Sequence, residues 1–181
     1  MATAWQATVD DLYRTDGKAE LVDGELVLMH AGGDWHGMAV GNIFVSLHAY
    51  ARQSGVGIAY GDNVGFLCDL PKRHSFSPDA AYYTGPRAGR KFLPQAPVFA
   101  VEVRSDEDYG PAAEAALAEK RADYFAAGTL VVWDVDAFNG PMIRSYRSDR
   151  PDAPTVFRGN ELADAEPAVP GWRFAVAELL Q

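Results

Sequence analysis

Three charged residues stand where their neighbours are apolar, and their types fit one chemistry. Glu102 interrupts Val98-Phe99-Ala100-Val101-Glu102-Val103, whose near-continuous apolar character marks a central strand. With a side-chain period of two, Val98, Ala100, Glu102 and Arg104 share one face, and Phe99, Val101 and Val103 the other. Asp79 lies in Ser77-Pro78-Asp79-Ala80-Ala81-Tyr82-Tyr83, where the alanines and tyrosines read as buried. Lys120 sits near the middle of a helical stripe of Ala113, Leu117, Lys120, Tyr124 and Ala127. A buried carboxylate is costly unless a cation or hydrogen bonds meet it, and an inward lysine calls for an anionic partner. Each residue also has a plainer reading. Glu102 can pair with Arg104, Asp79 can serve an Asx-type turn, and Lys120 can snorkel to water.

Two carboxylates and an ammonium meeting at a sheet end would make a site for a hard divalent cation. Oxygen-only ligation suits Mg²⁺ or Mn²⁺ rather than zinc or copper. Such a metal polarises a phosphodiester and lowers the pKa of an attacking water. Lys120 would orient or deprotonate that water, or neutralise charge building on the phosphorus oxygens. A glycosidase using Asp79 and Glu102 as acid and base fits formally but leaves the inward Lys120 without a role. His30, Asp34 and His36 lack the helical histidine pair of a metal cluster, so His36 is expected at a helix start or at the rim of the site. The glycines form no phosphate loop, and no helix-turn-helix, zinc-finger or RNA-binding signature is present.

The elements that must position these residues can be read from punctuation and periodicity. Asp23-Gly24 between the apolar runs 19–22 and 25–29 predicts a β-hairpin with a type I′ turn. Residues 36–53 place Val40, Ile43, Phe44, Leu47, Tyr50 and Ala51 on one helical face, with Asp34 as N-cap and Gly55 as the stop. Strands are expected over 56–62, 64–69, 76–83 and 98–103, with a proline-rich loop over 84–97. A helix from Pro111 to about Ala127, then a strand over 130–135, completes a right-handed crossover and a parallel pair. Closing strands at 142–147 and 155–157 and a short helix ending near Leu180 finish the chain. The expected class is mixed α/β, one domain over 1–181, with a mixed sheet flanked by helices.

The composition narrows the function. The 181 residues carry a net charge of −9, which argues against coating nucleic acid by bulk charge. Residues 71–104 are the exception: Lys72, Arg73, Arg87, Arg90, Lys91 and Arg104 face only Asp79 and Glu102, net +4. That basic segment surrounds Asp79 in sequence and suits an anionic substrate. Lys72, Arg73, Arg104 and His36 are its expected contacts. The single cysteine, Cys68, excludes an intrachain disulfide framework and a cysteine-based zinc cage. No secretory signal and no apolar run near the roughly 20 residues of a membrane span is seen. A cytoplasmic protein is expected, with no membrane partner.

In order along the chain stand Glu20-Leu21-Val22-Asp23-Gly24-Glu25-Leu26, His36 with Gly41-Asn42, Ser77-Pro78-Asp79 and Val101-Glu102-Val103-x-Ser105. Lys120-x-x-x-Tyr124-x-x-x-Gly128, Val132-Trp133-x-Val135-Asp136 and Pro170-Gly171-Trp172 follow. In these pieces the sequence resembles the Uma2 family of the restriction-endonuclease-like PD-(D/E)xK nuclease superfamily. The resemblance implies a restriction-endonuclease-like fold and a metal-dependent endonuclease acting on nucleic acid, DNA being expected. It makes Asp79 and Glu102, with Val103, the Mg²⁺ or Mn²⁺ set. It also implies an active-site lysine moved from the strand to the following helix, at Lys120, and an accessory acid at Glu20. Two features depart from the family. The strand motif continues Arg104-Ser105-Asp106-Glu107, without the usual proline after the serine, and Arg104 stands where the wider superfamily keeps its lysine. A nuclease-like fold acting as a binding module is therefore a second reading. Two-fold logic makes a homodimer the expected assembly.

Overall fold

The structure, a computed structural model, describes residues 6–181. Its centre is a six-stranded mixed sheet in the order β10-β9-β8-β7-β6-β3. These strands span β3 Ile58–Tyr60, β6 Ala80–Tyr83, β7 Phe99–Val103, β8 Val131–Asp136, β9 Met142–Arg147 and β10 Arg150–Arg158. β7 and β8 run parallel, joined by the helix α3 Pro111–Ala126, and every other neighbouring pair in this sheet is antiparallel. The expected crossover is therefore present, with β7 in the interior of the sheet.

Alternation along β7 sorts the two layers. Phe99, Val101 and Val103 join Ile43, Leu47, Tyr82, Trp133 and Ile143 in the larger core. The helix α2, Asp34–Ser54, covers that face with buried Ala39, Val40, Ile43, Leu47 and Ala51. Its N-cap is Gly33, one residue before the expected Asp34, and it ends at Gly55 in the left-handed conformation. Trp172, Phe174, Val176 and Leu179 of the C-terminal segment close the same core. On the other face Ala81, Tyr83, Ala100 and Val132 pack with Phe66, Phe76 and Tyr124. Tyr124 is the one α3 side chain that is fully buried, and it stacks on Phe76 at 4.0 Å between centroids.

The hairpin forms as expected, β1 Ala19–Val22 and β2 Glu25–Leu28, with positive φ at both Asp23 and Gly24. It is tied to the molecule through β5, Ser75–Phe76, which pairs with β4, Phe66–Leu67. The Leu21 carbonyl accepts from the His74 N–H at 2.9 Å, and the Leu21 N–H donates to Ser75 Oγ at 2.8 Å. Three elements have no counterpart in the sequence reading: α1 Val9–Arg14 and the pair β11 Leu162–Asp164 and β12 Arg173–Ala175. The C-terminal turn is a 3₁₀ helix over Val176–Leu180. Among the described residues, no helix is long and apolar enough to cross a membrane.

Candidate active site

Pro78 decides where Asp79 points. Proline offers no N–H to a ladder, so the strand expected over 76–83 divides into β5 and β6 with Pro78 and Asp79 between them. The Asp79 N–H still donates to the Val101 carbonyl at 3.0 Å. The β6–β7 register pairs Ala80 with Val101, and one further step sets Asp79 opposite Glu102. The Asp79 carboxylate accepts from the Val103 N–H at 2.8 Å and from Lys18 Nζ at 2.7 Å, with His36 Nε2 at 3.5 Å.

Glu102 points to the α3 side. Its carboxylate accepts from Lys120 Nζ at 2.9 Å and from the Tyr124 hydroxyl at 2.6 Å. Lys120 and Tyr124 are one helical turn apart, so the stripe that carries a buried tyrosine also turns the lysine inward. Lys120 Nζ lies 3.0 Å from Glu20 as well. Glu20 is 3% exposed and takes a guanidinium N–H of Arg73 at 2.6 Å and the Ser77 N–H at 2.8 Å. Arg73 in turn holds Asp123 of α3 at 2.8 Å. Of the three carboxylates from β1, β7 and the β5–β6 junction, Glu20 and Glu102 share Lys120, Glu20 also holds Arg73, and Asp79 holds Lys18.

The field inside this cluster is strong. Burial would raise the Asp79 carboxyl, but the His36 hydrogen bond, Lys18 and the Val103 N–H outweigh it and hold it well below the carboxylate range. Burial raises Glu102, and although Lys120 opposes this, Asp79 and Glu20 add repulsion that keeps it above its ordinary value. For Glu20 burial is overcome by Lys120 and Arg73, and its carboxyl is lowered. Burial would discharge Lys120, yet Glu102 and Glu20 prevail and raise it, so it is an ammonium at neutral pH.

His36 is raised above its ordinary 6.5 by its hydrogen bond to Asp79, against an opposing effect of burial. A raised histidine contributes stability that is full below the unfolded value and lost as pH climbs through the folded one. Urea midpoints of the wild-type protein should therefore fall from about pH 6 to about pH 8, a range in which histidine titrates. His36→Asn should flatten that slope, and equal slopes would contradict the pairing.

The other expected site residues separate. Val103 joins through its N–H to Asp79. Lys72 lies exposed on the hairpin side, 3.8 Å from Asp23. Arg73 is buried and bonded to Glu20 and Asp123, so it organises the cluster from behind. Arg104, expected as a substrate contact, lies inside the molecule. It is 3% exposed, and both Asp134 oxygens accept from it at 2.7 Å. Glu114 and the Asp108 carbonyl engage its remaining guanidinium nitrogens. Arg104 does not pair with Glu102. Nor is the basic segment one patch: Arg73 and Arg104 are internal, and Lys91 lies over the Tyr13 ring. The loop that lacks the family's proline is closed instead by Asp108, which accepts from the Ser105 N–H at 2.7 Å and its hydroxyl at 2.8 Å.

Lys18 was missed. It bridges Asp79 and Asp62, each at 2.7 Å. Its signal was its place two residues before Glu20, which puts both on one face of an extended chain.

The comparisons speak to the family and the fold. A family model described as "Uma2: Putative restriction endonuclease" matches residues 6–177. No curated protein matches the chain. The fold is similar to that in the crystal structure of "a putative nuclease belonging to DUF820 from Anabaena variabilis ATCC 29413". The TM-score is 0.74 at 14% identity, over 96% of this chain and 97% of that one, a likeness of fold. With a match running from residue 6, ahead of α1, to residue 177 in the C-terminal turn, the chain belongs to the Uma2 family.

Proposed function

We propose that the chain is a metal-dependent endonuclease hydrolysing phosphodiester bonds of nucleic acid, with DNA as its substrate. The observation that carries this reading is that Asp79 stands opposite Glu102 in the β6–β7 register while Lys120 bonds the Glu102 carboxylate, although the three lie 23 and 18 residues apart (102 − 79 and 120 − 102) in the chain. Among the described residues no three His, Cys, Asp or Glu side chains are gathered as a metal cage. Mg²⁺ does not need one: it keeps several waters and takes one or two carboxylates together with substrate phosphates. The donor set fits that habit. Two hard carboxylates face each other, and the repulsion that raises Glu102 is the kind an added cation relieves.

Asp79 and Glu102, with the Val103 peptide beside them, would hold the ion. When bound, Mg²⁺ or Mn²⁺ supplies an activated water and a Lewis acid for the phosphodiester. The chain's own groups do the rest. Lys120, held charged by Glu102 and Glu20, is a poor proton acceptor; it acts as a fixed donor that orients the nucleophile and meets charge on the phosphorus oxygens. Glu20 and Arg73 fix Lys120 from behind, and Tyr124 fixes Glu102. A pair of such protomers would address both strands of a duplex.

A non-catalytic binding module is favoured by a different observation: Asp79 and Glu102 already have Lys18 and Lys120 as counter-ions. Supercoiled plasmid separates the two readings. Nicking should require Mg²⁺ or Mn²⁺, stop with EDTA, and fall by about 100-fold or more in Asp79→Asn. Cleavage undiminished in that variant would remove Asp79 from the reaction, and no cleavage by the wild-type protein would favour the binding module.

A further inference from the structure

The α3-side face of the sheet continues past the candidate site. Glu102, Asp134, Arg144 and Val156 are successive cross-strand partners on β7, β8, β9 and β10. Three strand spacings of about 4.8 Å make this line about 14 Å long. Val132 and Asp134 face α3, so their partners Tyr146 and Arg144 share that side. Here the covering thins: Met142, Arg144, Tyr146 and Val156 are half-buried, and Arg158 is exposed. Arg121 of α3 lies 4.0 Å over the Tyr146 ring. A small cavity of about 10 Å³ between α3 and the sheet is lined by Glu102, Lys120, Arg121 and Asp134.

Cations outnumber anions on this face: Arg104, Arg121 and Arg144 stand around Asp134 and Glu114, and Arg158 lies beyond them. Both Asp134 oxygens are engaged by Arg104, and so is Glu114. Arg121 and Arg144 pair with Asp134 at 3.9 and 3.7 Å, Arg144 through a buried guanidinium nitrogen that has no hydrogen-bond partner among the described residues. Arg158 extends along the face to Met142, at 3.6 Å from the sulfur. On a chain of net charge −9, a row of three arginines leading to the carboxylates selects where a polyanion can lie.

We infer that Arg121, Arg144 and Arg158 form a phosphate track that carries a nucleic-acid strand across β9 and β10 to Glu102. Its location beside a scissile bond rests on the nuclease reading; its binding of phosphates does not.

The test is fluorescence anisotropy of a fluorescein-labelled DNA duplex, titrated in EDTA at several salt concentrations. The slope of log affinity against log salt should shrink by about 1.8 in Arg144→Gln/Arg158→Gln, about 0.9 for each phosphate contact. Arg158→Gln alone, at an exposed position where folding is not at stake, should remove about 0.9. The loss should be similar for duplexes of different sequence, as expected for backbone contacts. Hydrolysis of bis(p-nitrophenyl) phosphate in Mn²⁺, a substrate too small to reach the track, should be unchanged in the double variant. Unchanged slopes, or a wild-type protein that does not bind the duplex, would overturn the track even if the small ester is hydrolysed. Slopes that shrink while the wild-type protein hydrolyses neither substrate would uphold the track and remove the nuclease reading instead.

Discussion

Lys120→Met should slow DNA cleavage by roughly 10²–10³-fold, the usual consequence of removing one positioned donor from developing oxyanion charge. It should also destabilise the metal-free protein by about 3–5 kcal/mol, because an unpaired buried carboxylate remains. Two carboxylates are affected at once: Glu20 keeps Arg73 and the Ser77 N–H, whereas Glu102 keeps only Tyr124. Glu102 is therefore the group that should gain a proton. Adding Glu102→Gln to Lys120→Met should restore part of the stability while activity stays low. Saturating Mn²⁺ should likewise stabilise the Lys120→Met protein, by RT ln(1 + [Mn²⁺]/Kd), if the carboxylates accept the ion. Urea denaturation with and without Mn²⁺, read beside plasmid nicking, checks these four outcomes. Full activity in Lys120→Met would end its assignment to the reaction.

Arg104→Met carries the second large effect, and it concerns architecture. Arg104 fastens β7 to β8 through Asp134 and to α3 through Glu114, while Tyr124 is the α3 side chain that is fully buried. Removing the guanidinium leaves Asp134, 3% exposed, with arginines that stand 3.7 and 3.9 Å away. The expected loss is about 3–5 kcal/mol, or roughly 6–20 °C in Tm for a chain of this size. Arg104→Lys should recover little, since an ammonium cannot make the two parallel bonds to Asp134. Because α3 carries Lys120, hydrogen exchange along α3 should quicken in Arg104→Met. A Tm within 2 °C of wild type, as expected for about 1 kcal/mol or less, would show the clamp to be unimportant.

What could be read from residues alone was what depended on near neighbours. Asp23-Gly24 specified its turn because few other pairs tolerate positive φ twice. Glu102 and Lys120 could be set against each other because a strand, a helix and a parallel strand in immediate succession leave one handedness of return. Partners supplied from far away were not legible. Lys18 reaches Asp79 across 61 residues and Arg104 reaches Asp134 across 30; the place of Lys18 two residues before Glu20 marks its face but not its partner. The basic segment misled for the same reason: charge adjacent in sequence went partly inside, whereas the arginine row on α3, β9 and β10 comes from an acidic stretch of chain. Helix α1, six residues long, is too short for periodicity, yet Thr8 and Asp11 form a capping box that marks its start. The strand over 76–83 divided because one proline outweighed a run of good strand formers.

Calorimetric titration of Mn²⁺ into the wild-type protein, Asp79→Asn and Glu102→Gln probes most directly whether these acids serve one cation. The expected result is saturable binding by the wild-type protein that each substitution weakens severely. Equal binding by all three proteins, or none by the wild type, would contradict a metal site built on Asp79 and Glu102.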